Sequence, residues 1–195
     1  MLPLKSRTIA AALAILIISV SGAQADDVTD SLNDALSKYN NGQYTEAVNS
    51  INYAEQLITQ KKGEELTQVF PKPLDGWQAE EVKADPVFGG GVSAERRYTK
   101  DPASVSIAIV SDSPMLQATM MLFTNPMFAT ADGGKLETIN GQKAIVKYNA
   151  ENKGGDIQIV VNNRFLVTVN GSEVAKEDMT SYLANLDVNK LSTLK

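Results

Sequence analysis

Residues 157–169 read Ile-Gln-Ile-Val-Val-Asn-Asn-Arg-Phe-Leu-Val-Thr-Val, and no other stretch indicates the fold class so clearly. On both sides of Asn162-Asn163 the apolar residues recur at every second position, which is the period of a β-strand with one buried face. Asparagine tolerates the positive φ angles that a tight two-residue turn needs. The stretch therefore predicts a hairpin of two antiparallel strands.

Further strands are predicted on both sides of this hairpin. Residues 136–139 and 142–150 flank Asn140-Gly141, a strong two-residue turn signal. Residues 77–82, 92–99 and 104–111 also have strand character, whereas residues 114–124 and a segment beginning near Ser172 have helical spacing. Because short turns join antiparallel neighbours, the sequence predicts an α+β fold: an antiparallel β-sheet packed by helices, preceded by an N-terminal helical hairpin.

The helical hairpin is predicted from apolar residues at steps of three and four on both sides of a break at residues 40–42. These residues are Val28, Leu32, Ala35, Leu36 and Tyr39 before the break, and Tyr44, Ala47, Val48, Ile51, Ala54 and Ile58 after it. Gly63, Pro71, Pro73 and Gly76 follow, and these residue types are poor in helix interiors. The predicted organisation is a hairpin at 26–62, a linker at 63–76 and an α+β domain at 77–195.

Residues 1–25 have the pattern of a secretory signal peptide. Lys5 and Arg7 precede an apolar run at 9–20, and Ala23-Gln24-Ala25 places small residues before a cleavage point between Ala25 and Asp26. The run is shorter than the about 20 residues that cross a bilayer. We therefore expect a periplasmic or secreted protein without a membrane span after cleavage.

Composition excludes several classes of chemistry. The 195 residues include no cysteine and no histidine, so disulfides, Cys–His dyads and Ser–His–Asp triads cannot form. Removal of residues 1–25 would leave a formal charge of −7, because Lys5 and Arg7 are lost from a chain of net charge −5. An acidic chain argues against nucleic-acid binding. With no convincing catalytic, cofactor-binding or metal-ligating arrangement, the sequence predicts a protein that is not an enzyme.

Two weak resemblances follow from these patterns. The spacing Ala35-x-x-x-Tyr39-x-x-Gly42-x-Tyr44-x-x-Ala47 resembles the turn of a single tetratricopeptide unit. A plain helical hairpin packed on the rest of the chain is the preferred interpretation, because repeat solenoids usually need at least three units and the sequence shows no second copy. The start at Gly76-Trp77, the mid-domain helix, the Asn140-Gly141 turn and the C-terminal helix together resemble the exported PsbP-like domains. That resemblance implies an antiparallel sheet between helices and an accessory or binding role, and it implies no catalytic residue.

A methionine-rich segment is the first candidate surface. Leu116, Met120, Met121, Phe123 and Met127 lie close together, mostly at helical steps. Methionine fills irregular cores and also forms adaptable binding surfaces, so core packing and a partner surface are both open. Thioethers also suit copper(I), although the adjacent Met120 and Met121 project from different sides of a helix.

Arg96 and Arg97 are the second candidate. Neighbouring residues of a strand point to opposite faces, so one arginine can enter a pocket and bind an anion while the other is solvated. Ordinary cross-strand charge pairing is the alternative.

Our expectation is a non-enzymatic binding or accessory protein with an envelope protein as partner. The competing hypothesis is a carrier of a small apolar ligand, held between the sheet and the methionine-rich helix.

Overall fold

The computed structural model describes residues 26–87, 90–125, 127, 130 and 133–194. The predicted signal segment, with Ala25, lies outside the described residues. The helices discussed below are α1 Asp27–Asn40, α2 Tyr44–Thr67, α3 Pro114–Thr124, α4 Lys176–Ala184 and α5 Val188–Thr193. Asp26 caps α1, because its carboxylate accepts a hydrogen bond of 3.0 Å from the Thr29 backbone N–H.

The strands of the described residues form one antiparallel sheet of eight. They are β1 Gln78–Ala79, β2 Lys83–Val87, β3 Gly91–Lys100, β4 Ala103–Ser111, β5 Lys135–Ile139, β6 Gln142–Asn149, β7 Gly154–Val161 and β8 Phe165–Ser172. Their order across the sheet is β1-β3-β4-β8-β7-β6-β5, and β2 also pairs with β3. The predicted fold class is confirmed: an antiparallel sheet packed by helices and preceded by a helical hairpin.

The chain turns at both predicted positions, with two residues between β5 and β6 as predicted and three residues, 162–164, between β7 and β8. Asn162 and Asn163 have φ angles of 50° and 54° and bring Val161 opposite Phe165. Asn140 and Gly141 have φ angles of 48° and 76° between β5 and β6. Positive φ at both central residues matches the right-handed twist of the strands, so the asparagines and the glycine set the register of these hairpins.

One face of the sheet carries the main core. Alternate residues of the long strands are fully buried there, as the period of two predicts. Helices α4 and α5 cover this face together with the segment that follows α2. At its centre the ring of Tyr182 lies 4.3 Å from that of Tyr98 and 5.4 Å from that of Trp77, measured between centroids. Trp77 is therefore a core residue.

The first predicted strand, 77–82, differs from the structure. Two separate strands, β1 and β2, pair with opposite ends of the long strand β3. Between them Arg96 donates a hydrogen bond of 2.9 Å from Nε to the carbonyl of Glu80. The Arg96 side chain therefore takes the carbonyl that a backbone N–H of β3 would bond in a continuous ladder. The pairing with β3 is interrupted at this point, between β1 and β2.

Helix α2 is longer than the sequence indicated. It continues through Gly63 to Thr67, so Lys61 and Lys62 lie inside the helix and not at its end. The segment after it is packed, because Val69 and Phe70 are buried and the carbonyl of Pro71 accepts a hydrogen bond of 2.8 Å from Tyr98 Oη. The predicted linker thus starts within a helix and continues into the core.

An ionic cluster fastens α2 to the sheet. Asp112, at the end of β4, accepts hydrogen bonds from Lys62 Nζ at 3.0 Å and from Arg164 Nε at 3.0 Å. Arg164 also donates from Nη1 to the carbonyl of Leu194, at 2.8 Å. The guanidinium of Arg164, with the ammonium of Lys62, lowers the pKa of Asp112 to about 2. The cluster therefore connects the hairpin, the sheet and the C-terminal segment.

Candidate functional site

Small residues hold the two helices of the hairpin together. Ala35 of α1 and Ala47 and Ala54 of α2 are buried where the helices meet. Side chains without a γ-carbon let two helices approach closely. Gly42, at φ 76°, closes the turn between them. The contact between the helices therefore uses few large apolar residues.

A polar network joins the helices on one side of this contact. Lys38 Nζ donates to Asp34 Oδ2 at 2.7 Å and to Ser50 Oγ at 3.0 Å, and Ser50 Oγ donates to Asp34 Oδ2 at 2.6 Å. The hydrogen bonds from Lys38 and then Ser50 lower the pKa of Asp34. We call the side that carries Asp34 and Glu46 the reverse face of the hairpin.

The opposite side of the hairpin exposes large apolar side chains, and we call it the outer face. It consists of Leu32, Leu36 and Tyr39 on α1 and Tyr44, Val48 and Ile51 on α2, each 48–64% exposed. Each set recurs at steps of four and three, so it forms one stripe along its helix. The rings of Tyr39 and Tyr44 lie 5.7 Å apart between centroids, which joins the two stripes beside the turn.

The geometry of antiparallel helices places both stripes on one side. Each stripe residue follows a buried contact residue by one position, as Leu36 follows Ala35 and Val48 follows Ala47. One position is a rotation of about 100°. Because the helices run in opposite directions, these rotations lead to the same side of the pair. The result is a continuous apolar surface on a two-helix layer.

The outer face is also free of charge over most of its length. Its polar neighbours at helical spacing are Asn33 and Ser37 on α1 and Asn49 and Asn52 on α2. The first charged residue along the α2 stripe is Glu55. Asp34 and Glu46, by contrast, project from the reverse face.

Sequence reasoning found these residues but did not predict their exposure. A stripe at helical spacing predicts an apolar face, and the usual destination of such a face is the protein's own core. Here the small members of the pattern are buried and the large members are exposed. The signal that distinguishes them is the phase of the small residues, because the alanines mark the helix contact and the large residues lie beside it.

A cleft lies between α2 and the edge of the sheet. Its volume is about 680 Å³. Asn52, Gln56 and Thr59 line it from the side of α2 opposite α1, and Ala84 and Pro86 line it from β2. The carboxylates of Glu55, Glu64 and Asp85 also border it. The cleft has the size of a small-molecule site, although sequence reasoning did not indicate it.

The methionine-rich residues divide between packing and exposure. Leu116 is buried, at 3% exposure, whereas Met121 and Met127 are among the most exposed apolar residues, at 62% and 75%. Met120 and Phe123 line a shallow groove of about 290 Å³ together with Lys143, near the turns at Gly141 and Asn163. The structure therefore brings only two of the five candidate residues into a common groove. The side chain of Met115 is not among those described.

The two arginines have different roles in the fold. Arg96 donates to the backbone carbonyls of Glu80, at 2.9 Å, and Pro71, at 3.3 Å. Its guanidinium carbon also lies 5.5 Å from the centre of the Tyr98 ring. Arg97 is exposed on the other side of β3. Arg96 is thus committed to holding the segment around Pro71 in place.

Other candidate chemistry is limited in the described residues. Over the part of the chain that the structure describes, no group of three or more acidic residues has the geometry of a metal site. Of the glycine loop 89–91, Gly89 lies outside the described residues, Gly90 accepts a hydrogen bond of 3.2 Å from Lys62 Nζ, and Gly91 begins β3. Within the same ranges, no helix is both long enough and apolar enough to cross a bilayer.

Comparisons with known proteins give no relative. No protein-family model, no curated protein and no solved structure matches this chain.

Proposed function

We propose that this chain is an exported, non-enzymatic binding protein that docks onto another protein through the outer face of its helical hairpin. The observation that carries the proposal is the exposure of Leu32, Leu36, Tyr39, Tyr44, Val48 and Ile51 on one uncharged surface. Together these side chains expose on the order of 600 Å². A patch of this size lies at the upper end of what monomeric proteins expose, and such patches are often interaction sites.

The arrangement of the hairpin supports this proposal. Intramolecular contacts already use the two other sides of α2, since Ala47 and Ala54 face α1 and Gly63 faces β2. The large residues of the outer face therefore contribute little to folding. Two parallel stripes of large side chains form the kind of groove and ridge surface that receives a helix. Export is inferred from the signal pattern at residues 1–25 alone.

Site-specific photo-crosslinking in the native cells tests this function. A photoreactive amino acid replaces Leu36 or Val48 on the outer face, and Tyr53 in a matched control. Tyr53 is 54% exposed, as is Val48, but it lies one position before the buried Ala54 and so on the reverse side. We expect a discrete protein adduct from Leu36 and Val48 and none from Tyr53.

The adduct must also respond to the chemistry of the face. Leu32→Asp places a charge among the apolar side chains and should reduce the adduct from Val48 by about tenfold or more. The same substitution should leave the circular dichroism spectrum unchanged, since Leu32 is 48% exposed. Equal adducts from Val48 and Tyr53, or no adduct from either outer position, would refute the proposal.

The cleft between α2 and β2 favours a second candidate function, the carriage of a small ligand. Its volume of about 680 Å³ exceeds that of the groove at Met120, about 290 Å³, where the sequence suggested a pocket. Ligands that bind only the folded state raise the melting temperature. In a thermal screen of small molecules, Thr59→Trp should fill the cleft and abolish a shift, whereas Met120→Gln should leave it. A shift that survives Thr59→Trp but not Met120→Gln would favour the groove at Met120.

A further inference from the structure

We infer that the partner seated on the outer face is a second copy of this chain, so that two hairpins meet face to face as a four-helix bundle. The inference rests on the proposed function, because it uses the same surface and names its occupant. It follows from three properties of the hairpin: the distribution of charge, the flat two-helix layout and the area of the apolar patch.

Charge is the first argument. The chain carries 23 acidic and 18 basic residues, so two copies repel one another unless they meet on a neutral surface. The outer face is that surface, since Asn33, Ser37, Asn49 and Asn52 flank its apolar stripes. The reverse face carries Asp34, Lys38 and Glu46, so a contact there would have to desolvate charged groups. An uncharged face also provides nothing that would select a basic partner.

Layout is the second argument. Antiparallel helices joined by the short turn around Gly42 form half of an up-and-down four-helix bundle. Large side chains at steps of three and four on both helices are the pattern that packs in the centre of such a bundle. In a dimer with two-fold symmetry, the apolar stripes of one copy meet the apolar stripes of the other. This symmetry is the commonest among homodimers.

Area is the third argument. The six apolar side chains expose on the order of 600 Å², and the amides and hydroxyls around them widen the patch. A standard interface buries about 800 Å² on each partner. The outer face approaches that figure with the hairpin alone and needs no contribution from the sheet.

Sedimentation of the purified protein tests the inference. The full gene is expressed, the chain is purified as the cell processes it, and its mass is measured over concentrations from about 1 µM to about 100 µM. We expect a reversible monomer–dimer equilibrium. In a two-fold dimer Leu36→Asp enters the interface twice, so it should raise the dissociation constant by about 100-fold or more. Tyr53→Ser on the reverse face should not change it.

A second measurement uses the absence of cysteine from the chain. Val48→Cys provides one thiol on the outer face, and Tyr53→Cys provides one of equal exposure on the reverse face. Oxidation by diamide, which accepts the two thiol hydrogens, should join two Val48→Cys chains through a disulfide and leave Tyr53→Cys chains as monomers. Covalent dimers of Val48→Cys that still form at a protein concentration of about 1 µM would support the inference even where Leu36→Asp impairs folding.

The outcomes separate this inference from the proposed function. A monomer at all concentrations, or a dimer that is insensitive to Leu36→Asp, overturns the second copy as occupant. If the chain is monomeric while the outer face still forms an adduct with a different protein in cells, the proposed function stands and this inference fails. A monomer whose outer face forms no adduct at all refutes both.

Discussion

At the scale of single residues, Gly63 shows how a glycine can act inside a helix. Glycine is unfavourable in a helix interior, yet α2 continues through Gly63. A Cβ at this position would lie 3.2 Å from the Cβ of Ala84 and 3.6 Å from Cγ1 of Val92. The residue therefore allows the helix to approach the sheet. A single sequence does not reveal this, because the neighbours come from a distant strand.

This close approach predicts opposite responses to two substitutions. Gly63→Ala should be nearly neutral, because a gain of about 1 kcal/mol in helix propensity offsets slight crowding against Ala84. Gly63→Val should lower the free energy of unfolding by about 2 kcal/mol, since its two methyl groups must displace the strand. Denaturant unfolding followed by circular dichroism measures both. Equal stability of the two variants would contradict the packing described here.

At the scale of elements, three separate parts of the chain meet at Asp112. Lys62 comes from α2 and Arg164 from the turn between β7 and β8, and both donate to the carboxylate. Sequence patterns predicted these strands and helices, because period and turn chemistry are local. They did not predict the cluster, because its members are about 50 residues apart and each is an ordinary charged residue.

The cluster predicts a dependence of stability on acid pH. Its cations depress the folded-state pKa of Asp112 from 3.8 to about 2. The unfolded state therefore binds a proton first, so the stabilisation is complete above about pH 4 and is lost as the pH falls toward 2. Since the side chain is 31% exposed, we expect a contribution of about 1 kcal/mol.

Asp112→Asn isolates this charge effect. Asp112 has a φ angle of 51°, a conformation that asparagine adopts readily. The variant should lose about 1 kcal/mol at pH 7 and unfold with a flatter profile between pH 4 and pH 2. Urea titrations at several pH values measure both effects. A variant whose stability falls with acid as steeply as that of the wild type would place the pH dependence elsewhere.

At the scale of the whole molecule, the hairpin separates charge from apolar surface. The acidic residues Asp34 and Glu46 lie on the reverse face, and the outer face is apolar. The chain as a whole carries a formal charge of −5. Association through the outer face therefore gains no attraction between charges and must overcome a general repulsion between copies.

Salt should accordingly favour association or leave it unchanged. Raising the ionic strength from about 0.05 M to about 0.5 M screens the repulsion between two acidic copies. We expect the dissociation constant of the dimer to stay constant or to fall across this range, as measured by sedimentation. A dissociation constant that rises steeply with salt would indicate attraction between opposite charges, which an uncharged face does not provide.

More of the fold than of the candidate site could be predicted from the sequence, and the reason is physical. The strands around Asn140-Gly141 and Asn162-Asn163 follow from alternation and turn preference, which each segment carries by itself. Whether Leu36 and Val48 are exposed depends on whether another element of the chain packs against them, and their own spacing does not reveal this. Spacing alone would assign both residues to a core. Resemblance to PsbP-like domains and to a tetratricopeptide unit stays a prediction, as do export and the binding role.

The central claim is that the outer face is covered by protein in the cell, and thiol labelling measures this directly. Val48→Cys and Tyr53→Cys replace residues of equal exposure, 54%, on opposite sides of α2 in a chain without native cysteine. A maleimide that enters intact cells should label Tyr53→Cys at the rate seen for the diluted, purified protein and Val48→Cys at least about tenfold more slowly. Equal rates at the two positions in cells would contradict the claim.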